Sequence, residues 1–344
     1  MRLVVTGGAG FLGYHLCRQL ADKYESIAVL DIAPIDPQEY PAHAIYYNVD
    51  VRDRKQLEGV LRKGDVIVHA AAALPLWKRK EIFEINVTGT KNILETALTL
   101  QIRKVIFVSS TAVYGIPKTH PLYENSALVG VGPYGSSKIE AELICQEYRQ
   151  KGMCIPIVRP KSFIGPGRLG VFQILYDWIE SGKRIPIIGN GKNRYQLLEV
   201  EDLADAIYLL LVAPEEQVND VFNIGAAEFR TVEEDVGALC NYAHTGSRVM
   251  CTPARGVKML LAIFEKLKIS PLYKWIYATA DKDSFVCVDK IKTIAGWAPK
   301  YSNKEALIKS YQWYLEHKNE LHTTGITHRV AWHQGILAFA KRFL

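Results

Sequence analysis

Two side chains near the middle of the chain have the types and the spacing for proton transfer, Tyr134 and Lys138. On a helix, residues four apart project from the same face, so both can contact one bound molecule. A phenol ordinarily has a pKa of about 10, and a neighbouring cation lowers that pKa because it favours the phenolate. We therefore predict that Tyr134 exchanges a proton with a substrate oxygen, with Lys138 beside it.

A glycine-rich turn follows the first β-branched segment and reads Thr6-Gly7-Gly8-Ala9-Gly10-Phe11-Leu12-Gly13. In a dinucleotide-binding turn of this spacing, Gly7 permits the tight bend, Gly10 lets the backbone approach a pyrophosphate, and Gly13 allows close packing of helix on sheet. The free N–H groups at the start of the helix, around Phe11 and Leu12, face the anion. The turn therefore predicts a dinucleotide cofactor.

Acidic residues follow the second and third predicted strands and bear on which dinucleotide binds. Asp31 comes about 20 residues after the turn, where a carboxylate accepts hydrogen bonds from ribose hydroxyls and repels a 2′-phosphate. NAD is therefore favoured over NADP. Asp50 and Val51, after the third predicted strand, are expected to bracket the adenine.

The segments that must position these residues alternate between strand and helix patterns. Short β-branched runs predict buried parallel strands at 3–5, 27–30, 44–47, 66–69, 105–109 and 155–158. Apolar residues at three-to-four spacing predict helices at 12–23, 55–61, 82–99 and 134–151. After Arg159-Pro160 the rhythm is irregular, with helices expected at 171–181 and 200–212.

This pattern predicts an α/β fold of the Rossmann type, a doubly wound parallel sheet with a smaller, discontinuous C-terminal substrate lobe. We expect residues 1–160 to form the NAD-binding domain, to which residues of about 195–225 return. Residues 161–318 are expected to form mainly the substrate lobe, and residues 319–344 a basic amphipathic extension.

The order of motifs over about residues 1–318 resembles the extended short-chain dehydrogenase/reductase family, in particular its NAD-dependent epimerase/dehydratase members. Besides the turn, the motifs that carry the resemblance are His69-Ala70-Ala71-Ala72, Asn86-Val87-Thr88-Gly89-Thr90, Ser109-Ser110-Thr111, Tyr134-Gly135-Ser136-Ser137-Lys138 and Arg159-Pro160.

This resemblance implies further roles for individual residues. Ser110 matches the family's hydroxyl that orients the substrate oxygen, and Thr111 is expected to share that role. Lys138 would also bind the nicotinamide ribose. The cofactor-lining residues implied after the fourth strand are Ala70, Ala71 and Ala72. Helices 82–99 and 134–151 match those through which family members commonly form a homodimer.

Within the family, the motifs point to two kinds of substrate. Thr111 and Ala112 stand where sugar 4,6-dehydratases carry an Asp-Glu pair, so elimination of water is not expected. The segment from Ser109 to Gly115 resembles nucleotide-sugar 4-epimerases, which favours an epimerase acting on a nucleotide sugar of the UDP-sugar type.

The substrate lobe leaves an alternative open. Ser162 stands where those epimerases usually have Asn, and Tyr195-Gln196-Leu197 where they have an Arg-Asp-aromatic step. Its turns, Ile164-Gly165-Pro166-Gly167 and Gly189-x-Gly191-x-Asn193, resemble the 3β-hydroxysteroid dehydrogenase branch, whose substrates are apolar alcohols. The candidate substrate residues are Ser162 and, for a diphosphate, Arg168, Lys192 and Arg194.

Composition and charge exclude several other classes. A net charge of +6 from 42 basic and 36 acidic residues is mild and forms no dense basic stripe, so nucleic acid is not an expected partner. The six cysteines are scattered without a CxxC pair, so we expect reduced thiols and no metal site. The first strand begins almost at Met1, which leaves no room for a signal peptide and favours the cytoplasm.

The segment 321–344 has basic residues but no acidic one, and its apolar residues recur at three-to-four spacing, Trp332, Ile336, Phe339 and Phe343. Such a helix can lie on an anionic membrane surface or pack on the protein itself. A second apolar stretch, at 257–264 with Leu267, Leu272, Trp275 and Ile276 beyond it, leaves the same alternatives open.

Overall fold

A computed structural model describes residues 1–75, 77–267, 274–321, 328–331 and 334–344, with the backbone alone at 274–276 and 343. Its strands are β1 (Arg2–Thr6), β2 (Ser26–Asp31), β3 (Ala44–Asn48), β4 (Val66–His69), β5 (Val105–Val108), β6 (Ile157–Pro160), β7 (Ser162–Ile164), β8 (Arg184–Ile188), β9 (Leu197–Glu199), β10 (Val221–Ile224) and β11 (Arg248–Thr252). Seven of them form one parallel sheet in the order β10-β6-β5-β4-β1-β2-β3.

The helices are α1 (Phe11–Gln19), α2 (Arg54–Val60), α3 (Arg79–Phe83), α4 (Gly89–Thr99), α5 (Gly132–Gln150), α6 (Val171–Glu180), α7 (Val200–Val212), α8 (Glu215–Val218), α9 (Val232–Ala243), α10 (Ala254–Lys266), α11 (Lys274–Thr279), α12 (Asp289–Ala295), α13 (Asn303–His317) and α14 (Ile336–Ala340). A π-helical segment, Glu84–Thr88, joins α3 to α4. Short 3₁₀ turns lie at Ala21–Lys23, Pro37–Glu39, Thr111–Tyr114 and Lys341–Phe343.

Helices cover both faces of the sheet because its strands are apolar on both sides. Along β1, Leu3 and Val5 belong to the core on one face, and Val4 belongs to the core on the other. The first core includes residues of α1, α7 and α12, and the second includes residues of α2, α4 and α5. The doubly wound Rossmann fold predicted from the sequence is confirmed.

Two short pairs of parallel strands lie outside the sheet, β7 with β9 and β8 with β11. The second pair lies in a smaller lobe with α6, α9 and α13, whose shared core contains Trp178, Leu239 and Tyr311. Later parts of the chain return to the NAD-binding part: α7 packs on α1, and β10 pairs with β6 in the main sheet.

Several predicted boundaries differ from the structure, among them the end of the first helix, which was expected at residue 23 and lies at Gln19, and two others have a visible physical reason. The sixth strand was expected at 155–158, but β6 is Ile157–Pro160, because Pro156 has no N–H and the Ile155 N–H donates to Asn219 Oδ1 at 2.8 Å. The helix expected at 82–99 starts at Arg79 and contains the π-helical turn. That turn holds the buried Asn86, whose Oδ1 accepts from the Ala73 N–H at 2.8 Å.

Residues 334–344 of the C-terminal segment pack on the smaller lobe. Lys341 Nζ pairs with Asp177 at 2.5 Å, and the side chains packed against the lobe's core are Leu337, Ala340 and Leu344. Phe339 of the predicted stripe is 58% exposed, whereas Trp332 and the Phe343 side chain lie outside the described residues. Of the helices described, none is both long enough and apolar enough to cross a membrane.

Candidate active site

A cleft opens at the carboxyl ends of β1, β2, β4, β5 and β6, where parallel α/β sheets bind their ligands. It includes the point between β1 and β4 at which the order of strands reverses. The predicted residues that line it are Gly7, Gly10, Phe11, Leu12, Gly13, Asp31, Asp50, Val51, Ala70, Ala71, Ala72, Ser110, Thr111, Tyr134, Lys138, Ser162 and Arg168.

The glycine-rich turn is packed too tightly for side chains. A Cβ at Gly7 would lie 2.7 Å from the Ala71 backbone, and the φ of Gly7 is +68°. A Cβ at Gly13 would lie 2.3 Å from the Gly7 carbonyl oxygen. Helix α1 then begins without a side-chain cap at Gly10, so its first N–H groups face the cleft and can bind a phosphate.

The two acidic residues of the cleft differ in their surroundings. Asp31 ends β2 and accepts hydrogen bonds from the Ala9 N–H at 3.0 Å and the Ala33 N–H at 2.9 Å. Burial raises the pKa of Asp31, although these hydrogen bonds oppose the rise. Burial alone would raise the pKa of Asp50. Arg52, paired with Asp50 at 2.6 Å, has the larger effect through its hydrogen bonds and charge, so the Asp50 pKa is lowered. Asp31 therefore offers the more buried carboxylate for a ribose hydroxyl.

The alanine segment after β4 is held against the turn by a buried polar network. Thr6 Oγ1 accepts from the Ala71 N–H at 3.2 Å and contacts His69 Nδ1 at 2.7 Å. His69 Nε2 contacts Thr90 Oγ1 at 3.0 Å, and burial lowers the pKa of His69 to about 3. This imidazole is neutral and holds the strand end in place.

Helix α5 carries Tyr134 in its first turn and Lys138 one turn later. Pro133 lies at the start of this helix, where its missing N–H costs no hydrogen bond and its fixed φ suits the helix. Lys138 is 2% exposed, and its Nζ donates to the Val108 carbonyl oxygen at 2.9 Å. The four-residue spacing thus brings both groups to the cleft at the end of β5.

Burial shifts the pKa values of these two groups in opposite directions. It raises the pKa of Tyr134 to about 12, and the groups that oppose this rise are the Ser110 hydroxyl and the Arg168 guanidinium. It lowers the pKa of Lys138 to about 8. Both shifts have the same cause, since a desolvated site disfavours the phenolate and the ammonium alike.

The two hydroxyl residues lie at the start of the 3₁₀ turn after β5. Ser110 caps this turn, and its Oγ accepts from the Ala112 N–H at 3.1 Å. Thr111 Oγ1 donates to the Pro160 carbonyl oxygen at 3.2 Å. The Ser110 side chain also forms a hydrogen bond with the Tyr134 side chain, and Thr111 connects the turn to the end of β6.

A buried ion pair beneath the site joins α5 to β6. Arg159 donates to both carboxylate oxygens of Glu142, at 3.0 and 2.5 Å, and both residues are at most 2% exposed. Arg159 also donates to the Tyr114 hydroxyl, which donates to Asn223 Oδ1 at 2.7 Å. Sequence reasoning missed Glu142, although it continues the four-residue spacing of Tyr134 and Lys138.

The candidate substrate residues do not all reach the cleft. Ser162 lines it and contacts the Tyr195 hydroxyl at 3.1 Å. Arg168 lies over the stacked rings of Phe11 and Phe163, with its guanidinium carbon 5.3 and 5.5 Å from the ring centres.

The other two candidates, Lys192 and Arg194, do not line this cleft. Lys192 is 69% exposed and pairs with Glu233 at 2.7 Å because the Gly191 turn faces the start of α9. Arg194 lies over the ring of Phe285, 4.8 Å from its centre.

Several lining residues were not predicted from the sequence: Trp77, Lys161, Phe163 and His328. Lys161 directly follows the recognised Arg159-Pro160 step, so its position on that motif was an available signal. His328 comes from the C-terminal segment, and its carbonyl oxygen accepts from the Leu169 N–H at 3.1 Å. Burial, together with the Arg168 charge, keeps the pKa of His328 well below its usual value.

These features fit a dinucleotide. The turn without room for Cβ atoms and the uncapped helix start suit a pyrophosphate, and the Asp31 carboxylate suits a ribose without a 2′-phosphate. With Tyr134 and Lys138 at the other end, the fold and the site define an NAD-dependent enzyme of the oxidoreductase and epimerase type.

Comparison with known proteins gives the family. Residues 3–225 match the model of the NAD dependent epimerase/dehydratase family, and the chain belongs to that family. It is of the extended short-chain dehydrogenase/reductase type. An uncharacterised protein of Sinorhizobium fredii, y4nG, is 33% identical over 320 residues, which cover 92% of this chain and 80% of that protein.

This chain matches two further proteins over nearly the whole of their length. The UDP-N-acetyl-alpha-D-glucosaminuronate decarboxylase of Bacillus cytotoxicus is 26% identical over 339 residues, 93% of this chain and 99% of that protein. The crystal structure of UDP-glucose 4-epimerase from Thermotoga maritima with UDP-glucose is similar with a TM-score of 0.78 and 23% identity, covering 92% of this chain and 100% of that one.

Proposed function

We propose that the protein is an epimerase that acts on a nucleotide sugar, of the UDP-sugar 4-epimerase type, by transient oxidation of a secondary alcohol. The observation that carries this proposal is that Tyr134, Lys138 and Ser110 line the same cleft as the dinucleotide turn. Two of the proteins named above support the class of substrate, the decarboxylase named for a UDP-linked sugar and the epimerase crystallised with UDP-glucose.

The catalytic residues have separate tasks in this proposal. Tyr134 takes the proton of the substrate hydroxyl and later returns it, and Ser110 orients that oxygen. Lys138 binds the nicotinamide ribose and provides a positive charge, while Thr111 fixes the turn beside β6. When bound, NAD would supply reversible hydride transfer at the substrate carbon, with no net consumption of the cofactor.

The cofactor and substrate residues follow from the same cleft. Gly7, Gly10 and Gly13, with the N–H groups at Phe11 and Leu12, would hold the pyrophosphate of NAD. The residues placed around its adenosine half and the nicotinamide side are Asp31, Asp50, Val51, Ala70, Ala71 and Ala72. Ser162 and Arg168 would contact the nucleotide sugar, and we leave Lys192 and Arg194 out of the site.

The lining of the cleft favours this substrate over a 3β-hydroxysteroid or other lipid alcohol. Arg168 and Lys161 both line it, and each is a cation with hydrogen-bond donors. A diphosphate provides negative charge and several acceptors for such donors, whereas a sterol provides no anion.

The assay that separates the two candidates follows NADH and product together. With a panel of UDP-sugars, we expect a new sugar epimer by NMR and no net change in the absorbance of reduced nicotinamide. Net NADH formation from a sterol panel, with no sugar epimer, would overturn the proposal.

The first prediction concerns Tyr134→Phe, which should lower turnover by about 10²- to 10⁴-fold because the proton carrier is lost. NAD affinity should stay close to that of the unmodified protein, as measured by titration of protein fluorescence. Tyr123 is 50% exposed and serves as the matched control, since Tyr123→Phe should change neither value. Full turnover in the Tyr134 variant would contradict the assigned mechanism.

We also propose a cytoplasmic enzyme that contacts a membrane surface reversibly. Support comes from the exposed apolar side of α10, where Met259 is 66% and Ile263 48% exposed, next to the exposed Arg255 and Lys266. Flotation with vesicles of phosphatidylcholine and phosphatidylserine tests this, and Ile263→Asp should reduce the bound fraction. Equal binding by both proteins, or none by either, would contradict it.

A further inference from the structure

The C-terminal extension brings to the cleft a residue that the catalytic steps above do not use, His328. This residue lies outside 3–225, the part of the chain that matches the family, and outside 1–318, over which the family's motifs occur. His328 lines the cleft together with Phe11 and Arg168. The extension therefore adds a residue to a site whose other parts follow from the family's motifs.

The neighbours of His328 place it at the phosphate-binding side of the cleft. Arg168 is close enough for its charge to act on the imidazole, and its guanidinium carbon lies 5.3 Å from the centre of the Phe11 ring. Phe11 is the first residue of α1, whose uncapped N–H groups can bind a phosphate. The imidazole is thus near the end of the cleft where an anion is expected.

The backbone of the extension is fixed on one side by the segment between β7 and α6. The His328 carbonyl oxygen accepts from the Leu169 N–H at 3.1 Å, and Leu169 is 2% exposed. Further along the extension, Gln334 Oε1 accepts from the Trp178 indole N–H at 3.1 Å. Contacts outside its own imidazole therefore hold His328 at the cleft.

Arg329 joins the same segment to the NAD-binding part. Its guanidinium pairs with Glu39 at 2.6 Å and lies over the Tyr14 ring, 3.9 Å from the ring centre. Both partners adjoin the glycine-rich turn, since Tyr14 is on α1 and Tyr40, the residue after Glu39, donates to the Gly8 carbonyl oxygen at 2.9 Å. The extension thus bridges the two parts of the chain across the phosphate-binding side of the cleft.

An imidazole in this position suits an anionic ligand. Burial, together with the Arg168 charge, keeps the pKa of His328 well below its usual value, so the ring is neutral and its burial needs no counter-ion. A neutral imidazole has one N–H donor, and a hydrogen bond to a charged phosphate oxygen is stronger than one to a neutral acceptor. A dinucleotide brings two phosphates to this end of the cleft.

We propose that the C-terminal extension is part of the cofactor site, with His328 donating a hydrogen bond to the diphosphate of NAD and Arg329 holding His328 in place. His328 is a binding residue in this arrangement, and Arg329 is a positioning residue. Release of the cofactor then requires the hydrogen bond to break and the bridge to open. Loss of either contact should therefore speed the release of NAD.

Exchange of bound NAD for isotopically labelled NAD measures this release in the loaded protein. His328→Leu should exchange NAD about 10- to 100-fold faster than the unmodified protein, the range for a hydrogen bond to a charged group. His328→Gln keeps an N–H donor and should recover part of the difference. Arg342 is an exposed cation on the same extension, and Arg342→Met, the matched control, should exchange NAD at the unmodified rate.

A reversal of charge tests the positioning role of Arg329 separately. Arg329→Glu faces Glu39 and should speed NAD exchange by about tenfold, because like charges repel at this distance. Combining Arg329→Glu with Glu39→Arg restores an opposite pair and should recover much of the slow exchange. A general loss of folding would not be reversed in this way.

Each result supports or overturns one part of the proposal. Unchanged NAD exchange in His328→Leu would show that the imidazole does not bind the cofactor, and unchanged exchange in Arg329→Glu would show that the bridge does not retain it. If His328→Leu weakens only the calorimetric binding of UDP to the loaded protein, the residue faces the diphosphate of the substrate and the assignment to NAD is wrong.

Thermal unfolding shows whether His328→Leu is folded, and if it is not, His328→Gln and the charge-reversal series decide. The readout is the release of NAD and does not depend on the sugar that the enzyme takes. A negative result would therefore leave the proposed epimerase activity standing.

Discussion

Tyr134 and Lys138 share one desolvated site, and the groups around them do not restore the ordinary pKa of either. Burial raises the Tyr134 pKa to about 12 and lowers the Lys138 pKa to about 8. The sequence argument expected a neighbouring ammonium to lower the tyrosine pKa, but burial has the larger effect before a ligand binds. A cation brought by the oxidised cofactor would favour the phenolate when the site is filled.

The second prediction is that NAD binds less tightly as the pH rises above about 8. The pKa of Lys138 is lowered to about 8, so its ammonium is present below about pH 8 and is lost above that pH. The ammonium is the donor to the ribose hydroxyls in our proposal, so affinity should fall by up to about tenfold per pH unit until the pKa of the bound form is reached. Fluorescence titration with NAD from about pH 6.5 to about pH 9.5, a range that spans this pKa, measures the change in affinity.

Lys138→Met provides the comparison for this pH dependence. Its NAD affinity should be weaker at about pH 7 and should change little across the same range, because the titrating donor is absent. A fall of the same steepness in Lys138→Met would show that another group is responsible.

At the scale of elements, the site depends on the alignment of α5 with β6. The Arg159–Glu142 pair crosses between them in the core, and Ser109 Oγ donates to Glu142 Oε1 at 2.5 Å. Removing one member of such a pair leaves the other charged, buried and unpaired. The pair thus fixes where Tyr134 and Lys138 stand relative to the end of the sheet.

The third prediction is that Arg159→Met lowers the free energy of unfolding by about 3–5 kcal/mol, because Glu142 stays buried without its cation. Urea unfolding followed by circular dichroism measures this change. The double variant Arg159→Met with Glu142→Leu should recover much of the loss, since neither charge remains.

An exposed ion pair is the control for this prediction. Arg54 and Glu58 are 43% and 45% exposed, and Arg54→Met should lower the free energy of unfolding far less than Arg159→Met does. A loss of similar size in the Arg54 and Arg159 variants would contradict the role given to burial.

The sequence predicted those parts of the fold and the site that depend on local spacing. The turn at Gly7, the Tyr134–Lys138 spacing and the alternation of strands and helices are each visible within a few residues. Lys192 and Arg194 were judged by their nearness to turns, but their positions depend on Glu233 and Phe285, which are distant in the chain. Such pairings carry no local pattern.

At the scale of the whole molecule, the C-terminal segment links the two lobes around the cleft. Arg329 pairs with Glu39 at 2.6 Å and lies over the Tyr14 ring, both in the NAD-binding part. Further along, Gln334 Nε2 donates to Asp177 in the smaller lobe at 2.7 Å. Composition indicated an amphipathic segment, but which surface it covers depended on groups from three distant parts of the chain.

A further prediction at this scale concerns association. We propose that the protein is a homodimer through α4 and α5, the helices matched to the family's dimer interface. Leu98 on α4 is 38% exposed and Leu143 on α5 is 52% exposed, which are apolar side chains without a cover in the single chain. A second copy would bury them.

Leu143→Asp should convert the dimer to a monomer, because association would then bury a carboxylate without a partner. Light scattering coupled to gel filtration measures the mass of each protein at micromolar concentration. Leu315, on α13 and 38% exposed, is the matched control, and Leu315→Asp should remain dimeric. If the unmodified protein is a monomer, the homodimer proposal is wrong. If Leu143→Asp remains a dimer, the interface lies elsewhere. Turnover per site should persist in the monomer, since every residue of the proposed site comes from one chain.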